Sequence, residues 1–162
     1  MTPLEQCECL TRLLDERAPA LALFAAQWSD APEDCVQEAL IQLAGQHPWP
    51  DNPVAWLYRV VRNRAISQAR SLSRRKRHEA MAAQLRPEQA DESNGFAEEI
   101  AAALESLADD DRELVIARVW GQLTLEQLAA ALGISISTVH RRYEAALRNL
   151  RKALGDLCPT MK

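Results

Sequence analysis

Between His47 and Arg70 the chain carries the residue types that an unpaired nucleic-acid strand requires. His47 and Trp49 sit in the segment QHPWPDNP, whose three prolines rule out helix and make a stiff, extended loop. Trp56, Arg59, Asn63, Ser67 and Arg70 then recur at three- and four-residue spacing, which a helix would align on one face. Arginine neutralises phosphate, an aromatic ring stacks on an exposed base, and an amide bonds a base edge. Leu57, Val61, Ala65, Ala69 and Leu72 fall on the opposite face and form the stripe to be buried. From Pro53 to His78 there are eight Lys or Arg and no Asp or Glu, a bias uncommon on a merely solvated helix. Trp49 in its loop has two readings, packing down onto the protein or stacking on a base.

A second constellation lies toward the C-terminus. Thr124 with Gln127 is a capping box that opens LEQLAAAL, Gly133 supplies a left-handed turn, and Ser135 caps a helix that can continue to Leu154. In that last helix Ile136, Val139, Tyr143, Ala146, Leu147, Leu150 and Leu154 share one stripe. Opposite them sit Ser137, Arg141, Glu144, Arg148 and Lys152, with His140 and Arg151 at the border. Caps, glycine turn and stripe agree on a helix-turn-helix, whose second helix enters the major groove of duplex DNA. Arg141 suits the acceptors of guanine, and Glu144 suits either the cytosine amino group or an i,i+4 pair with Arg148.

The elements that position these residues are helical. Ala and Leu dominate, aromatic residues make up 5% of the chain, and no long segment alternates as a strand would, so the fold class is all-α. Leu10 to Trp28 has an apolar helical pattern in which Pro19 marks a kink or the start of a second helix. Ser29 or Asp30 can cap the next helix, with Pro32 in its first turn and Gly45 as its stop. Val36, Ala39, Leu40 and Leu43 make its buried stripe, leaving Asp34, Gln37, Glu38 and Gln42 on an edge that pattern alone reads as solvated. Residues 87–95 are polar, acidic and closed by Gly95, which marks a linker. Phe96 to Ala108 resumes a helix that would bury Phe96, Ile100, Ala103, Leu104 and Leu107, and Asp109, Asp110 and Asp111 open another that ends at Gly121.

The net charge of −4 conceals a segregation. Residues 1–52 and 79–113 are strongly acidic, whereas 53–78 and 114–162 are basic, which fits two nucleic-acid contacts with other surfaces kept off DNA. Cys7, Cys9, Cys35 and Cys158 fit neither a disulfide framework nor a zinc site, and reduced thiols are the default. His47, His78 and His140 lie in separate contexts and no glycine-rich phosphate loop occurs, which argues against an enzyme. No apolar run reaches membrane-spanning length and Met1 to Leu10 lacks the basic start of a signal peptide, so the expectation is a cytoplasmic protein without membrane insertion.

Taken in order, these motifs resemble the extracytoplasmic-function (ECF) sigma factors of the sigma-70 superfamily. PEDCVQEAL, NPVAWLYRVVRNRAI and the basic run are similar to that family's region two, and RELVIARVWGQLTLEQLAAALGISISTVHRRYEAALRNLRKAL is similar to its region four. The resemblance covers roughly residues 10–155. It implies two small helical domains, 1–86 and 96–157, joined by a flexible acidic linker at 87–95. The function it implies is that of a sigma factor, which directs core RNA polymerase to promoters and promotes strand opening, with no catalysis, cofactor or metal of its own. Core-polymerase-binding positions fall on Asp34, Gln37 and Glu38, which changes the reading of that edge from solvated to partner-binding. The minus-ten positions are His47, Trp49, Arg59, Arg62, Asn63 and Arg70, while Trp56 passes to a packing role. The minus-thirty-five positions are Ser137, Thr138, His140, Arg141, Arg142, Glu144 and Arg148. Implied partners are core RNA polymerase, promoter DNA and, by family habit, an anti-sigma factor. The motifs alone leave one alternative, a stand-alone helix-turn-helix repressor or activator that binds duplex operator without polymerase. Two departures stand out: Ala108 replaces a frequent proline, and His140 replaces a frequent Arg or Lys.

Overall fold

A capping box opens the first helix. The Glu5 N–H donates to Thr2 Oγ1 at 3.3 Å, and the Thr2 N–H donates to Glu5 Oε2 at 2.6 Å, satisfying two backbone donors reciprocally. The computed structural model describes residues 1–69, 74–86 and 95–157, and among these there are eight α-helices and no strand. Arg70, Leu72, Cys158 and nearly all of the expected linker lie outside the described residues.

Helix α1 (Pro3–Ala25) runs through Pro19 without the expected division. Pro19 lies on the exposed side, where water can take up the carbonyl that its missing N–H leaves unbonded. Helix α2 (Pro32–Ala44) begins at Pro32 as expected, but its N-cap is Ala31, with no side-chain cap. Ser29 is buried instead, donating to Gln68 Oε1 at 3.0 Å and accepting the Ala31 N–H at 3.1 Å, so it ties the entry of α2 to the end of α3. Helix α3 (Pro53–Gln68) is capped by Asn52, whose Oδ1 accepts the Ala55 N–H at 3.0 Å. It stops at Gln68 rather than continuing past Arg70, and the Ala69 N–H bonds back to the Ile66 carbonyl in a tightened last turn. The basic run opens a separate helix, α4 (Arg74–Leu85).

Helices α5 (Phe96–Glu105), α6 (Asp109–Val119), α7 (Leu125–Leu132) and α8 (Ile136–Leu157) form the second half. Two expected core residues are exposed. Phe96 is 62% and Ile136 46% accessible, because each is the first residue of its helix and extends past the neighbours that cover the stripe. Ala97, Ala101, Ala103 and Leu104 fill the buried face of α5.

The two halves pack against each other. Helix α1 meets α6, α3 meets α7 and α4 meets α5, so a single apolar core runs through both. Phe24 lies at its centre in the N-terminal half, edge-on to Trp28 (centroids 5.3 Å apart) and to Tyr58 (4.9 Å). Where α3 reaches the second half, Tyr58 Oη abuts Gly121, and a methyl group there would overlap both that hydroxyl and the Ala117 carbonyl. The hydroxyl is buried, bonds to none of the described residues, and has its pKa pushed up by burial.

Two substitutions test this contact. Removing an unpartnered buried hydroxyl relieves a desolvation cost, so Tyr58→Phe should leave stability unchanged or raise it by about 1 kcal/mol in urea unfolding. Gly121→Ala should lower it by about 1–3 kcal/mol through overpacking.

Candidate nucleic-acid interface

Asn52 and the prolines around it start α3 at a fixed point, and the helical repeat then brings Arg59, Asn63 and Ser67 to solvent. Asn63 lies in a groove between α3 and α2, lined by Gln42, Val60, Asn63, Arg64, Ser67 and Gln68. Arg64 spans it, pairing with Glu38 and donating from Nη2 to Gln42 Oε1 at 3.1 Å. In the preceding loop His47 is exposed, with Nδ1 3.1 Å from the Gly45 carbonyl oxygen. Trp49 is half-buried against the core, as is Trp56. The groove therefore presents amides, a hydroxyl and a guanidinium, which suit base edges and phosphate.

Arg62 stands apart from this face. Its guanidinium lies 5.9 Å from the ring centre of Trp28, and its Nε donates to Glu113 Oε2 on α6 at 2.6 Å. The expected DNA-facing set thus divides: Arg59 and Asn63 face solvent, and Arg62 is engaged by the second half of the chain.

On α2, Asp34, Gln37 and Glu38 are all exposed along one edge. Beside Gln37 and Glu33 runs a mostly apolar furrow formed by Leu14, Ala18, Ala22, Val36 and Leu40 between α1 and α2. Cys35, one turn from these acids, is buried with its Sγ 3.3 Å from Gln68 Oε1, and burial pushes its pKa up, which disfavours a thiolate.

The helix-turn-helix forms as its local signals require. Gln127 N–H donates to Thr124 Oγ1 at 3.1 Å and Thr124 N–H to Gln127 Oε1 at 2.9 Å, and Gly133 adopts φ 69° in the turn. Ser135 Oγ accepts the Thr138 N–H at 3.2 Å and lies 2.7 Å from the Thr138 hydroxyl, so Thr138 is drawn into the cap. Ser137, His140, Arg141, Glu144 and Arg148 project outward from α8. Glu144 faces His140 at 3.6 Å instead of pairing with Arg148, and Arg142 lies 3.9 Å from Asp110.

Two groups escaped the sequence reading. Arg64 and Gln68 join Asn63 in the groove, and their i,i+4 spacing was the available signal. Glu113, at the end of the acidic segment 79–113 and given no role there, is 5% exposed and pairs across 51 residues, which no local pattern reports. Among the described residues no cluster of His, Cys, Asp and Glu could hold a metal, and no helix is long and apolar enough to cross a membrane.

Residues 18–75 match the family Sigma-70 region 2, and residues 103–152 match Sigma-70, region 4. The ECF RNA polymerase sigma factor SigL of Mycobacterium tuberculosis is 34% identical over 157 residues, covering 90% of this chain and 88% of that protein. The chain belongs to the sigma-70 family and is an ECF sigma factor. The ECF RNA polymerase sigma factor SigK of Mycolicibacterium vanbaalenii is 27% identical over 134 residues, covering 76% of this chain and 68% of that protein. The RNA polymerase sigma-E factor of Streptomyces antibioticus is 42% identical over 52 residues, covering 32% of this chain and 29% of that protein. A sigma factor is not an enzyme, and its partners are core RNA polymerase and promoter DNA.

Within this sigma factor the region-two match contains α2 and α3, and the region-four match contains the helix-turn-helix. The Arg62–Glu113 pair joins the two. Burial pushes the Glu113 carboxyl above its ordinary value of 4.5, and the Arg62 guanidinium offsets only part of that rise. The folded chain therefore binds the Glu113 proton more tightly than the unfolded chain does. Its contribution to stability is lost as pH rises through the folded pKa and is gained as pH falls toward 4.5. Glu113→Gln should accordingly not destabilise the sigma factor at neutral pH. It should also flatten the pH dependence of stability in that window relative to the parent, as thermal unfolding across pH would show.

Proposed function

We propose that this sigma factor docks on core polymerase through Asp34, Gln37 and Glu38 and holds the melted minus-ten strand in the groove around Asn63. In the same reading α8 reads the minus-thirty-five duplex. The observation that carries it is the adjacency of the exposed α2 acids to the Asn63 groove, with Arg64 linking the two through Glu38 and Gln42. Carboxylates on that edge suit basic side chains of a large partner. A partner cation that takes Glu38 frees Arg64 to turn toward phosphate in the groove. Arg59 and His47 are also exposed, and Arg70 extends the set in sequence. Binding energy realised only on unpaired bases then offsets the cost of opening the duplex.

On α8, Ser137, His140, Arg141, Glu144 and Arg148 are the base- and phosphate-facing group, with Arg142 beside the backbone and Thr138 chiefly a cap. The reading treats residues 1–86 and 96–157 as two domains on the linker 87–95, working in the cytoplasm, with an anti-sigma factor as a further partner.

The decisive experiment is run-off transcription with core polymerase and a library-selected promoter, with and without this chain; no sigma-dependent product rejects the reading. Asn63→Ala should reduce permanganate reactivity of the melted strand about tenfold or more, corresponding to the loss of about 1.4 kcal/mol, while co-elution with polymerase survives. Glu38→Arg should instead abolish co-elution, and strand opening with it. Arg141→Ala should cost about 1–3 kcal/mol of holoenzyme affinity and relax selectivity at a single base pair.

A further inference from the structure

An amide that is free to rotate reads a base edge ambiguously, because it can offer either its carbonyl or its NH2 group. Asn63 is such a side chain, exposed and with no partner for its amide among the described residues. Gln68, farther along α3 in the same groove, is fixed. Its Oε1 accepts the Ser29 hydroxyl at 3.0 Å and lies 3.3 Å from Cys35 Sγ. Ser29 Oγ already accepts the Ala31 N–H at 3.1 Å, and its single hydrogen goes to Gln68. Burial raises the Cys35 pKa, so the thiol keeps a hydrogen to donate to the same oxygen. Ser29 and Cys35 are 1% and 0% exposed, so a docking partner does not reach them. Two donors on Oε1 turn Nε2 toward the groove, where it bonds to none of the described residues.

Ser67 supplies the complement. Its hydroxyl hydrogen is donated to the Asn63 carbonyl at 2.8 Å, which leaves its oxygen to accept. A donor and an acceptor from successive residues of α3 therefore line the groove. On an unpaired base the matching edge is open. Thymine and guanine carry a carbonyl, O4 or O6, beside a ring N–H, whereas cytosine and adenine carry an amino group, N4 or N6, beside a bare ring nitrogen. Only the first arrangement meets both groups without setting donor against donor and acceptor against acceptor. Gln42 does not fix the choice. Arg64 orients its amide at 3.1 Å, but Arg64 is shared with the exposed Glu38 and turns away when a partner takes that acid.

We propose that Gln68 and Ser67 form a subsite for one keto base, thymine or guanine, of the melted strand, and that the buried Ser29 and Cys35 are positioning residues that set its sense. This selectivity rests on the reading that the groove around Asn63 holds that strand. An amino base placed there leaves both groups unpaired, so rejection is stronger than the loss of a single bond.

Gln68→Glu replaces the groove-facing donor with an acceptor at almost constant shape, while the other carboxylate oxygen still takes the Ser29 hydroxyl. Holoenzymes assembled from core polymerase with the parent or the variant chain select from one promoter library randomised across the minus-ten segment, and the DNA in open complexes is sequenced. The parent should favour thymine and guanine over cytosine and adenine at one position by about tenfold, and the variant should shift that ratio about tenfold toward cytosine and adenine. At the other positions the two should agree. The added negative charge weakens contact with every sequence alike and cancels in the ratios. Ser29→Ala, which frees the amide to turn, should level the four bases at the same position. A parent with no keto preference at any position overturns the proposal, as does a Gln68→Glu chain that keeps the parent's preference. Folded Ser29→Ala that keeps it overturns the positioning role. Asn63→Ala separates the two readings. If it lowers strand opening while Gln68→Glu leaves base preference unchanged, the groove holds the strand and the subsite alone is wrong. If strand opening also survives Asn63→Ala, the groove reading falls with it.

Discussion

A guanidinium as buried as that of Arg112, 2% exposed, has to be met by acceptors on every side, because an unpaired charge in that setting costs several kcal/mol. Its acceptors come from two directions. Asp109 and Glu105 belong to its own half, one at the start of α6 and one at the end of α5, and they fix the corner between these helices. Gln27 belongs to the other half and is itself wholly buried, its amide donating to the Phe24 carbonyl. Through that one residue the α5–α6 corner, the end of α1 and the aromatic cluster of Phe24, Trp28 and Tyr58 are held in a common frame. If Gln27 withdraws, Arg112 keeps two carboxylates and water replaces one amide, so each half retains its internal ion pairs.

The same economy of charge explains how an acidic protein handles an acidic ligand. With a net charge of −4, the whole molecule repels DNA at long range, and at physiological salt that field decays within about 8 Å. Only local patches matter at contact. Most of the basic residues lie in two segments, and each segment has acids from elsewhere in the chain within reach: Glu113 and Glu105 for α3 and α4, Asp110 for Arg142 on α8. The difference between them is burial. The α8 pair lies at 3.9 Å and is solvent-exposed, worth little in water, whereas the α3 pair is shielded and geometrically good. The first breaks readily, whereas breaking the second requires moving a helix.

Legibility in the sequence follows the range of the determinant. The helix-turn-helix was readable because a Thr-Gln box, a left-handed glycine and a serine cap all act within four residues. Pro48, Pro50 and Pro53 likewise announced their loop. Periodicity gave the correct face for Val139, Ala146, Leu104 and Val61, yet misplaced Phe96 and Ile136, since a stripe does not say where the covering neighbour ends. Ser29 looked like a cap because caps are local, and became a buried link to Gln68 because a residue 39 positions away offered a better partner. The partner of Arg62 was hidden for the same reason: helical spacing cannot reveal that a glutamate on another helix pairs with it. The acids of α2 were visible as exposed, but only the family resemblance gave that exposure a purpose.

Natural sequences are locally consistent nearly everywhere, so the places where local and global preferences conflict carry information. Here the conflicts gather at one surface. Glu113 is more buried than its pairing with Arg62 repays, Tyr58 buries a hydroxyl against a glycine that leaves it unbonded, and Arg17 spends its guanidinium on a backbone carbonyl. Tyr58 also belongs to the aromatic cluster of the N-terminal half, and the apolar core continues from there into the C-terminal half. Apolar residues at these few positions would avoid such costs. The joint between the halves therefore combines a continuous apolar core with a few buried or half-buried polar groups that fix its geometry.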